Sequence, residues 1–110
     1  MIIIIMLMKA PPEKRKELFQ TITSLTSSIR TVPGCRRCNF FHGMEDKNIL
    51  CLLEEWDTRK HLETYRQSDC FKVLQGAMNL LEEPCEIISY SSPSPGGNSG
   101  HQPAALEQSH

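Results

Sequence analysis

The sequence lacks an excess of charge of either sign. Its 110 residues include 12 Lys and Arg against 13 Asp and Glu, for a formal net charge of −1. A nucleic-acid-binding domain normally carries a basic excess or patch, and a polybasic segment is typical of proteins that bind a membrane surface. We therefore expect neither nucleic acid nor a membrane among the partners of this chain.

Long hydrophobic runs are also missing. The longest one, residues 2–8, is far shorter than the roughly 20 apolar residues that a helix needs to cross a bilayer. No basic region precedes this run and no small-residue cleavage site follows it, so it does not resemble a secretory signal. The expected compartment is the cytoplasm.

The cysteines do not form the even, dense set of a secreted disulfide scaffold. Cys35 and Cys38 make up a CxxC pair, but the pair leads from a Pro-Gly turn into a predicted strand. An odd offset on a strand places two side chains on opposite faces, and no second pair is spaced to complete a zinc site. We expect free thiols and no metal. The five cysteines are Cys35, Cys38, Cys51, Cys70 and Cys85.

The composition changes after Tyr90. Residues 91–110 are rich in Ser, Pro and Gly and contain a single charged residue of the Asp, Glu, Lys and Arg set, Glu107. Such a segment cannot bury enough apolar surface to offset its ordering entropy. We expect one folded domain over residues 1–90, followed by a flexible tail that is dispensable for folding.

The hydrophobic period within residues 1–90 alternates between strand and helix. Residues 2–8 and 49–53 are continuously apolar, which is typical of strands covered on both faces. Two stripes at helical spacing follow these runs, and Ser68-Asp69 predicts a second cap that kinks or splits the later helical region. With strands near 35–42 and 85–90, the order β-α-β-β-α-β predicts a ferredoxin-like α+β fold. The stripes are Leu18, Ile22, Leu25, Ile29 and Phe71, Leu74, Met78, Leu81.

Two helices cover only one face of a four-stranded sheet. Because two of the predicted strands are apolar on both faces, a single copy would leave a wide apolar patch in water. A second copy packed sheet to sheet would cover it. We therefore expect a two-fold homodimer.

Two motifs carry a resemblance to a known family. They are Val32-Pro33-Gly34-Cys35 before the second strand, and Glu54-Glu55-Trp56 with Ser68-Asp69-Cys70-Phe71 twelve residues after the Trp. Over roughly residues 1–90 the sequence resembles the antibiotic biosynthesis monooxygenase family. The resemblance implies a dimeric α+β barrel of ferredoxin-like subunits. It also implies oxidation of electron-rich aromatics by molecular oxygen with no metal, flavin or other cofactor.

The sequence keeps only part of the site that this resemblance implies. In the polyketide-quinone-forming branch, an Asn, a Tyr and an Arg stand at the positions of Leu52, Leu62 and Gly76. Trp56 is the residue of that set that remains. Haem-degrading relatives share the Ser-Asp-x-Phe-Lys string, but their first-strand Asn and their iron-ligating His have no counterpart, so haem degradation is not expected.

Tyr65 and His61 are the other catalytic candidates beside Trp56. Many bacterial relatives carry a His nine residues after the Trp, where this sequence has Tyr65. A phenol donates a hydrogen bond to a quinone oxygen, but its pKa of about 10 makes it a poor base at neutral pH. His61, one helical turn earlier on the same face, is the alternative base, although a solvent-facing helix residue is the simpler interpretation.

Asn39 and Phe71 are the candidate ligand contacts. Asn39 and His42 lie at opposite parity on the second strand, so they cannot both face one pocket. A lone Trp at the end of a buried strand is often a packing residue, so packing is the alternative interpretation of Trp56. If Trp56 and Tyr65 act together, both should border one cavity, with the phenol aimed at its centre.

We therefore expect a cofactor-independent monooxygenase that acts as a homodimer on a small aromatic or quinol-like compound. The alternative is a non-catalytic dimeric module of the same fold that binds a small molecule or serves as a scaffold. The replaced polar positions favour this alternative. A third class is a sensor that uses the cysteine thiols. A closed cavity beside Trp56 and Tyr65 would support an enzyme or a binder, and a filled interior would support a scaffold.

Overall fold

One antiparallel sheet carries the described helices on a single face. The computed structural model describes residues 1–92 and the backbone of residues 105–109. A short 3-10 turn at Pro12–Lys14 precedes the first α-helix. The elements are β1 (Ile2–Lys9), α1 (Arg15–Ile29), β2 (Cys35–His42), β3 (Ile49–Trp56), α2 (Arg59–Arg66), α3 (Asp69–Met78), β4 (Glu86–Ser91) and β5 (Ala105–Ser109).

The strand order of the sheet is β2-β3-β1-β4-β5, and every neighbouring pair is antiparallel. β1 lies at the centre, where Ile5 pairs with Leu53 of β3 on one side and with Ile88 of β4 on the other. The first four strands and the helices between them confirm the α+β, ferredoxin-like fold that the hydrophobic pattern predicts.

Alternation along the strands divides the sheet into two faces. Ile4 and Met6 of β1 are buried under the helices, together with Leu18 and Ile22 of α1. The other parity forms a second face that no described helix covers, which we call the open face. Its apolar residues are Ile3, Ile5, Leu7, Phe41, Ile49, Cys51, Leu53, Ile88 and Tyr90.

Two capping residues divide the second helical region. Thr58 accepts a hydrogen bond from the backbone N–H of His61 at 3.1 Å, and α2 begins there. Ser68 does the same for Phe71 at 3.2 Å, and α3 begins. The predicted split is confirmed, because each cap satisfies an otherwise free N–H at a helix start. No helix in the described residues has the length and apolar character needed to cross a membrane.

The CxxC pair does not lie as the sequence predicts. A β-bulge between Cys35 and Arg37 inserts one extra residue, so Cys35 pairs with Trp56 and Cys38 with Glu54. Both partners face the helices, and therefore both cysteines do as well. The expectation of opposite faces is wrong. The extra residue in the bulge makes an offset of three act as an offset of two, so both side chains lie on the same face.

The structure also has a strand that the sequence analysis does not predict. Ala105–Ser109 forms β5 and pairs antiparallel with β4, with Tyr90 opposite Leu106. The remainder of the expected tail, residues 93–104, lies outside the described residues. The flexibility of that segment stays a prediction.

Candidate functional site

A buried glutamate is the chemically distinctive group beneath the helices. Glu54 lies on β3 between Leu52 and Trp56, and alternation directs its side chain toward the helices. Only 2% of the residue is exposed. Carboxylates are almost never fully buried unless they are paired or hydrogen-bonded, so the partners of Glu54 determine its state.

Two aromatic side chains donate hydrogen bonds to this carboxylate. The Trp56 indole N–H donates to Oε1 at 3.0 Å, and the Tyr65 hydroxyl donates to Oε2 at 3.2 Å. The two rings stack on each other with their centroids 4.6 Å apart. Both donors are neutral, so Glu54 is hydrogen-bonded and has no ion-pair partner among the described residues.

Burial governs the protonation of this group. Desolvation raises the pKa of Glu54 above its ordinary value of 4.5, and the hydrogen bonds from Trp56 and Tyr65 and the nearby Arg66 charge offset this only in part. Desolvation and the Glu54 charge also raise the pKa of Tyr65, which therefore stays a neutral donor. The arrangement therefore provides an acid whose pKa is higher than that of an exposed glutamate.

A cavity of about 340 Å³ lies between the sheet and the helices beside Glu54. Its sheet side includes Ile4, Met6 and Ile87, and its helix side includes Leu62, Phe71 and Leu74. Glu54 and Tyr65 also border it. A mainly apolar cavity with a few polar groups is the usual form of a small-molecule site.

The structure brings some of the predicted site residues together at this cavity. Phe71 of α3 borders it and contacts Tyr65 edge to face, with the centroids 5.3 Å apart. Tyr65 borders it as expected, but its hydroxyl binds Glu54 and is not free to point at the cavity centre. Trp56 is fully buried behind Tyr65 and is not a lining residue, so the expectation that both aromatics border the cavity is wrong for Trp56.

His61 and Asn39 lie elsewhere. The His61 ring Nδ1 is 2.7 Å from Asp57 Oδ1 and 3.0 Å from Thr58 Oγ1, at the exposed start of α2. Asn39 faces the open side of β2, opposite Leu53, while His42 faces the helices beside Phe19. Neither candidate is among the residues that line the cavity, because each belongs to a different surface of the fold.

The thiols lie in surroundings that suppress their reactivity. Burial raises the pKa of Cys38 to about 12 and that of Cys85 to about 11. Desolvation raises the pKa of Cys35, Cys51 and Cys70 as well. Since the thiolate is the reactive form, this weakens the thiol-sensor hypothesis. Among the described residues, no three His, Cys, Asp or Glu side chains converge as a metal site requires.

Sequence reasoning missed Glu54. In the sequence it is the first of two adjacent glutamates at the end of an apolar strand, where both suggest a solvated strand end. The signal that could have revealed Glu54 is the alternation of side chains along the strand. Glu54 shares the phase of Leu50, Leu52 and Trp56, all with 0% exposure, whereas Glu55 has the opposite phase.

The family model for antibiotic biosynthesis monooxygenases (ABM) matches residues 1–77. That span covers β1 through most of α3 and includes Glu54, Trp56, Tyr65 and Phe71. The chain belongs to the ABM family. No curated protein sequence is significantly similar to it.

Solved structures of similar proteins share this ABM fold. A conserved protein of Methanosarcina mazei is 27% identical with a TM-score of 0.78, over 84% of this chain and 92% of that one. A Nitrosomonas europaea protein, provisionally described as an antibiotic biosynthesis monooxygenase, is 16% identical with a TM-score of 0.78, over 84% and 98%. A Mycobacterium tuberculosis protein is 18% identical with a TM-score of 0.76, over 87% and 98%. The latter two likenesses concern the fold alone.

Proposed function

We propose that this ABM protein is a cofactor-independent oxygenase for a small hydroxyaromatic or quinol-like compound, with Glu54 as the catalytic base. The observation that carries the proposal is the buried Glu54 carboxylate at the wall of a largely apolar cavity. A general base works best when its pKa lies near the operating pH, and burial moves Glu54 in that direction. This assignment takes the role that the sequence analysis gave to His61.

Trp56 and Tyr65 are proposed as positioning residues for that base. Each donates one hydrogen bond to a different oxygen of Glu54, which fixes the plane of the carboxylate. A carboxylate oxygen has two acceptor sites, so one site on each oxygen remains for a substrate hydroxyl. Phe71, edge-on to Tyr65, would hold the flat face of an aromatic ring in the cavity.

The proposed reaction begins with proton transfer from a ring hydroxyl to Glu54. The resulting oxyanion gives one electron to molecular oxygen, and the ring radical and superoxide combine to form a C–O bond. Glu54 returns its proton to the peroxide and so forms a hydroperoxide. Its O–O bond then breaks with loss of hydroxide, and the ring carbon gives its hydrogen, as a proton, to that hydroxide. One phenol and one O2 thus give one quinone and one water, and the new carbonyl of the quinone carries one oxygen atom of the O2. The apolar walls exclude water from the anion.

A non-catalytic binding module is the second candidate. The observation that favours it is the apolar character of two replaced positions, since Leu52 and Leu62 are both buried. The same cavity would then hold a ligand without oxidising it.

The test is oxygen consumption with 1,5-dihydroxynaphthalene under 18O2. We expect the hydroxynaphthoquinone product to carry one 18O atom. Glu54→Gln should lower kcat by about 100-fold or more, the range in which general bases contribute. Glu63→Gln, an exposed glutamate on α2, is the matched control and should retain the activity. If the diol binds but oxygen uptake equals the protein-free rate, the non-catalytic module is the better account.

We also propose that the protein is a homodimer assembled through the open face. Nine apolar residues of β1, β2, β3 and β4 share this face, and Phe41 is 50% exposed in the single chain. Apolar patches of this extent are rare on monomers. A cytoplasmic location stays a prediction, supported by five free cysteines.

A further inference from the structure

The cavity beside Glu54 is polar at its mouth and apolar inside. Arg66, Gln75 and Asn79 line it and are exposed to solvent, whereas Glu54 is 2% exposed. Arg66 is the last residue of α2, Gln75 lies on α3, and Asn79 caps the end of α3. One guanidinium and two carboxamides therefore surround the entrance, and the ionisable acid lies at depth.

The Arg66 guanidinium has no anionic partner within residues 1–92. The ion pairs found there join Arg37 to Glu55, His61 to Asp57 and Lys72 to Asp69. Arg66 is close enough to Glu54 to lower the pKa of that carboxyl, although it does not bond to it. A cation that borders a cavity without a partner of its own is available to a ligand.

The chemistry of this mouth selects the ligand. A guanidinium presents a planar fork of donors that matches a carboxylate, and carboxamide N–H groups add further donors. A lone anion entering the cavity would be repelled by an ionised Glu54, and Arg66 offsets that repulsion at the entrance. The apolar walls between the mouth and Glu54 fit a flat hydrocarbon body.

We infer that the substrate is a hydroxyaryl carboxylate, bound with its ring hydroxyl toward Glu54 and its carboxylate at Arg66. This inference rests on the proposed function, since it names the substrate class of the same site. Arg66 is then a specificity-determining residue, with Gln75 and Asn79 as additional donors. None of the three was a candidate in the sequence.

The inferred contact also links binding to the base. A substrate carboxylate at Arg66 neutralises the charge that lowers the pKa of Glu54. Binding therefore makes Glu54 a stronger base at the moment when a ring hydroxyl reaches it. A ligand without the carboxylate would leave the Arg66 charge unneutralised.

The experiment compares 6-hydroxy-2-naphthoic acid with 6-hydroxy-2-naphthamide by calorimetric titration without oxygen. The two probes share their rings and hydroxyl and differ in charge. We expect the wild-type protein to bind the acid at least about tenfold more tightly, since hydrogen bonds to a charged group are stronger than neutral ones. Arg66→Gln should remove this preference without changing the affinity for the amide, and Arg66→Lys should retain part of it.

Arg59→Gln is the matched control, because Arg59 is an exposed arginine of the same helix and does not line the cavity. It should preserve the preference for the acid. Equal affinity of the wild-type protein for both probes, no binding of either probe, or an equal loss in Arg59→Gln would each overturn the inference. Because the titration contains no oxygen, its outcome is independent of whether the protein proves to be an oxygenase.

Discussion

A carboxylate that loses its water needs other donors, and Glu54 has two neutral ones. The indole N–H of Trp56 and the hydroxyl of Tyr65 occupy one site on each oxygen. Neither donor carries a charge that would hold the carboxylate ionised, and desolvation therefore dominates its titration. At the scale of one residue, burial makes the ionised form of Glu54 unfavourable, so the folded state loses stability when high pH ionises this group.

The pH dependence of stability follows from this state. Because the native pKa of Glu54 lies above its ordinary value of 4.5, the folded protein keeps a proton that the unfolded chain has lost. The stabilisation is complete below pH 4.5 and declines as pH rises through the native pKa. We expect the urea midpoints of the wild-type protein to fall as pH rises above 4.5 toward the native pKa.

Glu54→Gln should flatten that decline, because an amide of the same shape does not titrate. Glu63→Gln removes an exposed carboxylate from α2 and should leave the slope of the wild-type curve unchanged. Cys35, Cys38 and Cys70, which feel the Glu54 charge, have raised pKa values and stay neutral over this range. A slope that persists in Glu54→Gln would place its origin elsewhere.

Gly34 is a second residue whose identity is fixed by its surroundings. Its φ of +89° is a left-handed conformation, and an added Cβ would overlap the His61 side chain. We expect Gly34→Ala to lower the free energy of unfolding by about 2 kcal/mol or more, from backbone strain and overpacking together. Gly76→Ala is the control.

At Gly76, within α3, an added Cβ meets nothing within 4 Å. Replacing a helical glycine by alanine there should raise the free energy of unfolding by about 0.5–1 kcal/mol. Thermal unfolding of the two variants should therefore move in opposite directions. Equal destabilisation by both would contradict the account of Gly34.

At the scale of elements, the junction of α2 and α3 positions the aromatic wall of the cavity. The Ser68 hydroxyl donates to the Tyr65 carbonyl at 2.6 Å and accepts from the Phe71 N–H at 3.2 Å. One side chain thus joins the end of α2 to the start of α3, and it bonds the backbone of the two residues whose rings meet edge to face.

We expect Ser68→Ala to lower the free energy of unfolding by about 1 kcal/mol, the usual loss for an N-cap. For a domain of this size the melting temperature should fall by about 4–8 °C. Ser24→Ala, at an exposed site inside α1, should change the free energy by less than about 0.5 kcal/mol. Equal effects of the two changes would argue against a capping role for Ser68.

The elements with a regular period were predictable, and the irregular features were not. The apolar run of β1, the stripe of α1 and the cap at Ser68 each follow from local residue patterns. The bulge at Cys35 depends on how β2 meets β3, and no local pattern reveals one extra residue. Glu54 was overlooked because a carboxylate is normally solvated. Its burial is tolerable because Trp56 on the same strand and Tyr65 on α2 both donate to it, and the second contact depends on the tertiary fold.

At the scale of the whole molecule, the open face is the surface that remains to be covered. Ile5 lies at its centre, flanked by Leu53 and Ile88 on the neighbouring strands. If two copies pack there, a single charge at Ile5 would be buried without a partner in the interface.

We expect light scattering to give twice the 12.5 kDa chain mass for the wild-type protein at micromolar concentration. Ile5→Lys should give the monomer mass. Met44→Lys changes a residue that is 93% exposed in the β2–β3 turn and should leave the dimer intact. A wild-type protein that elutes as a monomer would refute assembly through this face.

The hydrogen bond between Trp56 and Glu54 has an optical consequence. Trp56 is the single tryptophan of the sequence, and its indole N–H is 3.0 Å from an oxygen of the buried acid. Indole emission responds to a charge placed this close, so the intrinsic fluorescence of the chain reports the proton on Glu54 without any label. The emission maximum should step as pH passes the native pKa of Glu54, where the decline of the urea midpoints ends, and Glu54→Gln should show no such step.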